Sequence, residues 1–225
     1  MTEKVGFIHT ALALAHLFKH QMAEVFPNVR AFHIVDESLL QDLLESGELS
    51  SSIIRRLSAH VVLAREGGAD LIMVTCSSTS PGVDVARKLV DVPVLKIDDP
   101  MAEKAVEMSD SIGVLATVKT TLIPSTELIK SKATMKDKFI RVESILCEKA
   151  FDLLLQGDRE GHDRLVKDAA LELAEKIEVL VLAQASMSHL AAEIEVAAKT
   201  PVLTSPNLAM EAIGRLLGTE TKKPH

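Results

Sequence analysis

The stretch from Asp70 to Lys104 is written again, without a gap, 108 residues later. Ser78, Ser80, Pro93, Val94, Leu95 and Glu103 fall on Ser186, Ser188, Pro201, Val202, Leu203 and Glu211. Upstream, 112–115 matches 5–8 at an offset of 107, with Gly6 on Gly113 and Thr10 on Thr117. A match that runs through strand, loop, helix, proline and strand encodes one supersecondary unit twice. Each half must therefore fold on the same plan. One position breaks the match in a chemically telling way: Cys76 falls on Gln184, so only one half carries a thiol there.

The shared plan is α/β. In the first half, 5–8, 31–35, 71–74 and 94–97 are short apolar runs that predict strands. Between them, 11–25 predicts a helix ended by Pro27, and 39–45 a short one stopped by Gly47. The serines at 50–52 offer caps for a longer helix with an apolar face of Ile54, Leu57, Val61 and Ala64, closed at Gly67 and Gly68. The run Leu71–Val74 is apolar throughout, as a central parallel strand must be. A helix over 81–89 leads to the last strand of this half.

The second half repeats the order. Strands are expected at 112–115, 139–143, 179–183 and 202–203. Helices are expected at 126–135, 144–155, 158–176, 193–198 and 208–217, with a polar tail beyond. Alternating strands and helices argue for two parallel sheets flanked by helices.

Composition narrows the function. Of 225 residues 47% are hydrophobic, enough for one large core or two small ones. A net charge of −7 and an aromatic content of 3%, with no Trp or Tyr, speak against nucleic-acid partners. No uninterrupted apolar run reaches the length of a membrane span. Two cysteines imply no disulfide framework and a reducing, cytoplasmic setting. The start of the chain, with Glu3 beside Lys4 and then Gly6, reads as a strand and helix rather than a signal peptide.

Open α/β sheets bind ligands beyond the C-terminal ends of their strands. Four loops occupy that place: His9-Thr10, Cys76 to Ser80, Ala116 to Thr121, and Gln184 to His189. In the second, Cys76 stands at a strand end, before Ser77, Ser78 and Thr79 and a helix start. Free backbone N–H groups there favour a thiolate and can hold a carboxylate beside it. Cys147, which follows Ile145-Leu146 and precedes Phe151, reads as a helical core residue.

The third loop offers Thr117, Thr120 and Thr121 as donors to an anion, with Lys119 as a further charge or a solvent-exposed side chain. Thr10 and Ser186 are placed beside an anion by the repeat, as partners of Thr117 and Ser78. Only one threonine can cap the helix, so the others are available. His189 and His9 are candidate acid–base groups near neutral pH. Neither a GxxxxGK loop nor a GxGxxG turn follows a strand, so no nucleotide cofactor is expected. His16 and His20 lie on a helix without the HExxH pattern, so no metal is expected.

On VTCSSTS around Cys76, IGVLATVKTTL around Thr117 and the two-lobe repeat, the chain resembles the aspartate, glutamate and hydantoin racemase superfamily over nearly all its length. The resemblance implies two pseudosymmetric α/β lobes with the active site in the cleft between them. It implies a first lobe of 1–98 plus 206–225 and a second of 99–205, with crossings at Asp98-Asp99-Pro100 and Ser205-Pro206. It also implies no cofactor, a small carboxylate or cyclic imide-like substrate, and a homodimer or higher homo-oligomer.

Cofactor-free racemases of this kind place one cysteine on each face of the substrate. Cys76 matches the first, whereas Gln184 stands where the second would be and carries no titratable proton. The leading expectation is an isomerase or racemase in which His189 or His9 replaces the missing acid. Alternatives are a decarboxylase or lyase in which Cys76 alone protonates a carbanion-like intermediate, or a nucleophilic role for Cys76 with Gln184 donating to an oxygen. A further alternative is a non-catalytic protein that binds small carboxylates.

Overall fold

The computed structural model describes residues 3–218. The chain divides into two compact units, Met1–Ile97 with Asn207–His225, and Asp98–Pro206. The polar tail expected beyond the last helix, and residues 219–225 of the expected first lobe, lie outside the described residues.

In the first unit the order is β1 (Lys4–His9), α1 (Leu12–Val25), β2 (Arg30–Val35), α2 (Ser38–Ser46), α3 (Ser51–Glu66), β3 (Leu71–Val74), α4 (Ser80–Ala86) and β4 (Val94–Lys96). The second holds α5 (Asp99–Met108), β5 (Ser111–Ala116), α6 (Lys119–Met135), β6 (Arg141–Leu146), α7 (Glu148–Leu155), α8 (Arg159–Ala174), β7 (Val179–Leu182), α9 (Ala191–Ala198) and β8 (Val202–Thr204). Helix α10 (Ser205–Leu217) ends the described chain. Short 3-10 segments follow β3 at Ser77–Thr79, α4 at Arg87–Leu89 and β7 at Ala185–Leu190.

Each unit carries one four-stranded, wholly parallel sheet, ordered β2-β1-β3-β4 and β6-β5-β7-β8. The repeat therefore encodes one topology twice, and its details recur at the level of single bonds. Ile72 N–H donates to Pro93 O at 2.9 Å, and Leu180 N–H to Pro201 O at 2.9 Å. Thr75 N–H donates to Ile8 O at 3.0 Å, and Ala183 N–H to Leu115 O at 2.9 Å. Asp36 N–H reaches His9 O at 2.9 Å, and Cys147 N–H reaches Ala116 O at 2.8 Å. The long helices start alike: Ser50 Oγ accepts from Ile53 N–H at 3.3 Å and Asp158 Oδ1 from Gly161 N–H at 2.9 Å. Each cap satisfies one of the donors a helix start leaves over.

The core sits between sheet and helices. Leu57, Val61 and Ala64 of α3 pack with Ile72 and Val74 in one unit. Val166, Ala170 and Leu173 of α8 pack with Leu180 and Leu182 in the other. The helices come close because the first strands carry glycine. A Cβ on Gly113 would lie 2.9 Å from Ile177 Cγ1 and 3.0 Å from Leu173 Cγ. A Cβ on Gly6 would lie 3.0 Å from Phe32 Cζ and 3.2 Å from Ala69 Cβ.

Several boundaries differ from the sequence reading. Helix α6 begins at Lys119, not 126, and runs through Pro124. Proline disfavours a helix interior but does not end this one; it stands within the second turn. Strand β6 covers Arg141–Leu146 rather than 139–143, and α7 starts only at Glu148. Phe139 is almost wholly exposed, so apolar character at 139 marked an irregular connection and not a strand. On α3 it is Ile53 that is buried beside Leu57, Val61 and Ala64, while Ile54 is half-buried. Among the described residues no helix is long and apolar enough to cross a membrane.

Candidate active site

In both sheets the strand order reverses beside the first strand, between β1 and β3 and between β5 and β7. Helices leave such a sheet on opposite faces there, which opens a crevice at the C-terminal strand ends. His9, Thr10, Thr75 and Cys76 flank that point in the first unit. Ala116, Thr117, Ala183 and Gln184 flank it in the second. The asymmetry between Cys76 and Gln184 thus falls at topologically equivalent places.

Cys76 is 7% exposed and leads into the 3-10 turn of Ser77–Thr79. Its carbonyl oxygen accepts from Thr79 N–H at 3.2 Å, from Thr79 Oγ1–H at 3.2 Å and from Ser80 Oγ–H at 3.4 Å. These hydroxyls therefore hold the loop backbone. Ser77 and Ser78 are buried in the same turn, and Thr10 is buried at the end of β1.

Behind Cys76 lies a polar chain that the sequence did not reveal. His9, the last residue of β1, is fully buried, with Nδ1 2.8 Å from Thr75 Oγ1 and Nε2 2.9 Å from His33 Nδ1. Thr75 Oγ1–H donates to Ile8 O at 3.2 Å, so His9 donates to Thr75 from Nδ1 and accepts from His33 on Nε2. Burial above all, and then the neighbouring His33, push the His9 pKa down to about 3. His9 is therefore a neutral ring at pH 7, with both nitrogens engaged. Phe7 stacks on both rings, at centroid distances of 5.9 and 5.1 Å.

In the second unit Gln184 Oε1 accepts two hydrogen bonds from Thr117, from N–H at 2.6 Å and from Oγ1–H at 3.0 Å. A backbone N–H can only donate, so the atom it meets is the amide oxygen. Both donors of Thr117, expected to meet a ligand anion, meet Gln184 instead. The Gln184 amide is left with its Nε2 hydrogens directed away from Thr117. Lys119 is exposed at the first position of α6, Thr120 is half-buried and Thr121 is buried.

Ser186 is exposed in the 3-10 segment after β7. His189, in the same segment, has Nε2 2.9 Å from Asp163 Oδ2 on α8. Asp163 Oδ1 also accepts from His162 Nδ1–H at 2.7 Å. Burial pushes the Asp163 carboxyl up, but the hydrogen bonds from His189 and His162 outweigh it and hold the pKa below the usual carboxylate range. Nothing in the sequence signalled Asp163, since an acidic residue early in a long amphipathic helix is ordinary.

Cys147 corrects the sequence reading. It lies between β6 and α7, not inside a helix, and is half-buried. Its Sγ–H points to Leu165 O at 3.7 Å, beside the apolar core of the second unit. At the equivalent end of β2, Asp36 accepts from Arg56 Nη2 at 2.9 Å, His60 Nε2 at 2.8 Å and Ser38 Oγ at 2.6 Å. His16 and His20 are exposed on α1, and His20 pairs with Glu24 at 3.3 Å. Among the described residues no group of three or more His, Cys, Asp and Glu side chains could hold a metal ion.

A family model described as Asp/Glu/Hydantoin racemase matches residues 8–213. No curated protein matches. Among solved structures, the chain is similar to Picrophilus torridus aspartate racemase at 15% identity, covering 98% of this chain and 96% of that one, with a TM-score of 0.75. It is similar to an allantoin racemase from Klebsiella pneumoniae at 17% identity, covering 99% and 91%, with a TM-score of 0.70. It is also similar to an arylmalonate decarboxylase at 12% identity, covering 99% and 97%, with a TM-score of 0.60. At these identities the likeness is one of fold, and the three names carry three different reactions.

Proposed function

The chain belongs to the Asp/Glu/hydantoin racemase family, and on that premise we propose that it is a cofactor-independent isomerase or racemase that moves a proton at a carbon beside a carboxylate or imide-like group. Cys76 is the thiol acid–base group. Gln184 does no proton transfer: its amide has no proton that titrates in the useful range. It donates from Nε2 to a substrate oxygen, where negative charge grows as the α-proton leaves.

The observation that carries this reading is the pair of hydrogen bonds from Thr117 to Gln184 Oε1. They fix which end of the amide is presented, so the position offers N–H donors and not a carbonyl. A fixed donor costs no reorganisation when charge develops. His9 serves the site from behind, as a neutral ring that holds Thr75 next to Cys76. His189, after β7, and Lys119, at the start of α6, are the groups of the second unit's loops that can carry a proton. Ser77, Ser78, Thr79, Thr10, Thr120, Thr121, Lys119 and Ser186 complete the proposed surroundings of the anion.

The same amide also suits a one-faced reaction, in which Cys76 alone protonates the carbanion left by loss of carbon dioxide. A panel of small acids and imides in deuterated water separates the two. The isomerase reading expects one deuterium at the carbon beside the carboxyl or imide carbonyl, with the carbon count unchanged. Release of carbon dioxide with deuterium in the product puts the decarboxylase first. Tight binding of a panel member with neither outcome sinks both and leaves a binding protein.

A further inference from the structure

We propose that His33 is a positioning residue for Cys76: acting through His9, it fixes Thr75, the residue whose peptide carries the thiol. The proposal rests on the reading above and deepens it within the first unit alone.

A chain of side chains crosses three neighbouring strands at their C-terminal ends. His33 lies on β2, His9 ends β1, and Thr75 follows β3. His33 is the register partner of Phe7, so Phe7, His9 and His33 share one face of the sheet. Phe7 and Phe18 of α1, both fully buried, enclose the rings; the Phe18 centroid lies 5.2 Å from that of Phe7 and 6.1 Å from that of His9. The planes of His9 and His33 are 24° apart, near enough to coplanar for an N–H of one ring to meet the lone pair of the other.

Every donor in the chain points one way. Thr75 Oγ1–H donates to Ile8 O, His9 Nδ1–H to Thr75 Oγ1, and His33 Nδ1–H to His9 Nε2. Thr75 N–H also donates to Ile8 O, at 3.0 Å, so Thr75 is tied twice to the end of β1. His33 sets this order. Burial first, and then the charge of Lys19 on α1, push its pKa down, so at pH 7 the ring is neutral and has one N–H. That N–H goes to His9 and leaves His33 Nε2 buried without a partner. A bare buried nitrogen costs stability that an apolar side chain would not. What the imidazole adds is the donor that keeps His9 in its Nδ1–H tautomer.

The fold does not need this chain. The second unit makes the same backbone bonds at the same places, Ala183 N–H to Leu115 O and Cys147 N–H to Ala116 O. There the positions of His9, Thr75 and His33 hold Ala116, Ala183 and Ser144. The chain thus exists only in the half that carries the thiol, and it ends one residue before that thiol. It acts as the orienting third member of a nucleophile–base set acts, by fixing a tautomer and the group beyond it.

Deuterium incorporation into aspartate, glutamate and allantoin, amide hydrogen exchange and nitrogen-15 spectra together test this. His33→Phe keeps a ring but not the donor. It should lower kcat about tenfold with KM unchanged, the effect of one buried hydrogen bond left unmade behind the reacting group and none at the binding groups. His33→Asn, whose Nδ2 can stand in for Nδ1, should restore about half of the activity or more. Adding Thr75→Val to His33→Phe should cost no more than the worse single variant, because both cut one chain. The Thr75 amide should exchange about tenfold faster in His33→Phe, with that of Ala183 unchanged. In the unaltered protein the His9 ring should give the signals of the Nδ1–H tautomer. An Nε2–H tautomer of His9 there, equal Thr75 exchange in the two proteins, or a rise in KM with kcat unchanged overturns the proposal. The amide exchange and the spectra need no substrate, so they decide it whether or not a panel member turns over. Incorporation abolished in Cys76→Ala yet undiminished in His33→Phe leaves the proposed function standing and overturns this inference alone.

Discussion

Gln184 and Thr117 divide their hydrogen-bonding groups in a way that single substitutions can separate. Gln184→Glu keeps an acceptor for Thr117 but removes the Nε2 donors. We expect kcat/KM to fall at least tenfold, about 1.4 kcal/mol, chiefly through kcat, with the fold intact. Thr117→Val removes one of the two bonds to Oε1 and keeps the backbone one. Its cost should be that of one neutral hydrogen bond, about 1 kcal/mol, or roughly a fivefold fall in kcat/KM. Steady-state kinetics on a panel substrate check both. His9 makes a pH prediction. Its folded pKa, about 3, lies below that of an exposed imidazole, so the unfolded chain binds the proton more readily. Its contribution is complete above about pH 6.5 and is lost as pH falls toward the folded value, by up to about 1.4 kcal/mol per pH unit. Urea unfolding at pH 7 and pH 5 should show the unaltered protein losing more stability than His9→Leu across that interval. At this scale the sequence put Cys76 and Gln184 directly after strand ends and His189 in the loop after the second of these, and the structure has them there. The sequence did not show His33, Thr75 or Asp163, because each reaches its partner from another element and no local pattern marks it.

The elements were most legible where pattern and packing agree. Strands β3 and β7, apolar and buried at every position, followed from an unbroken apolar run. The start of α3 followed from the serines at 50–52, and Ser50 accepts from the N–H three residues on; α8 begins one residue after the expected 158, with Asp158 itself as the cap. Legibility failed around α6 and β6. The helix was expected only from 126, but α6 begins at Lys119 and carries Pro124 in its second turn. Phe139 suggested a strand, yet strand pairing begins at Arg141, opposite Ser111. Glycine in the first strands gives this scale its prediction. A Cβ at Gly113 would meet Ile177 and Leu173 at 3.0 Å or less, from a segment packed on the sheet. Gly113→Ala should destabilise the second unit by about 1–3 kcal/mol through overpacking, measured by thermal or urea unfolding. An unchanged midpoint would mean that α8 can move off the sheet at little cost.

At the scale of the whole chain the repeat was the strongest signal, since two copies of one strand order follow from it. Each copy brings its own crevice residues to the switch point of its own sheet, a thiol in one and an amide in the other. The substrate was not legible, because the residues that would select it sit in loops whose side-chain directions no periodicity sets. The proposed function takes its class of reaction from the family, and the role proposed for Gln184 from the two bonds it accepts from Thr117. In the proposed function Cys76 is the group that moves the proton. The most direct measurement is the rate of deuterium incorporation at the carbon beside the carboxyl or imide carbonyl, compared between the unaltered protein and Cys76→Ala. The prediction is a loss of at least about 4 kcal/mol of transition-state stabilisation, a thousandfold in rate, for the enantiomer deprotonated by the thiol. Equal incorporation by the two proteins for both enantiomers would contradict it.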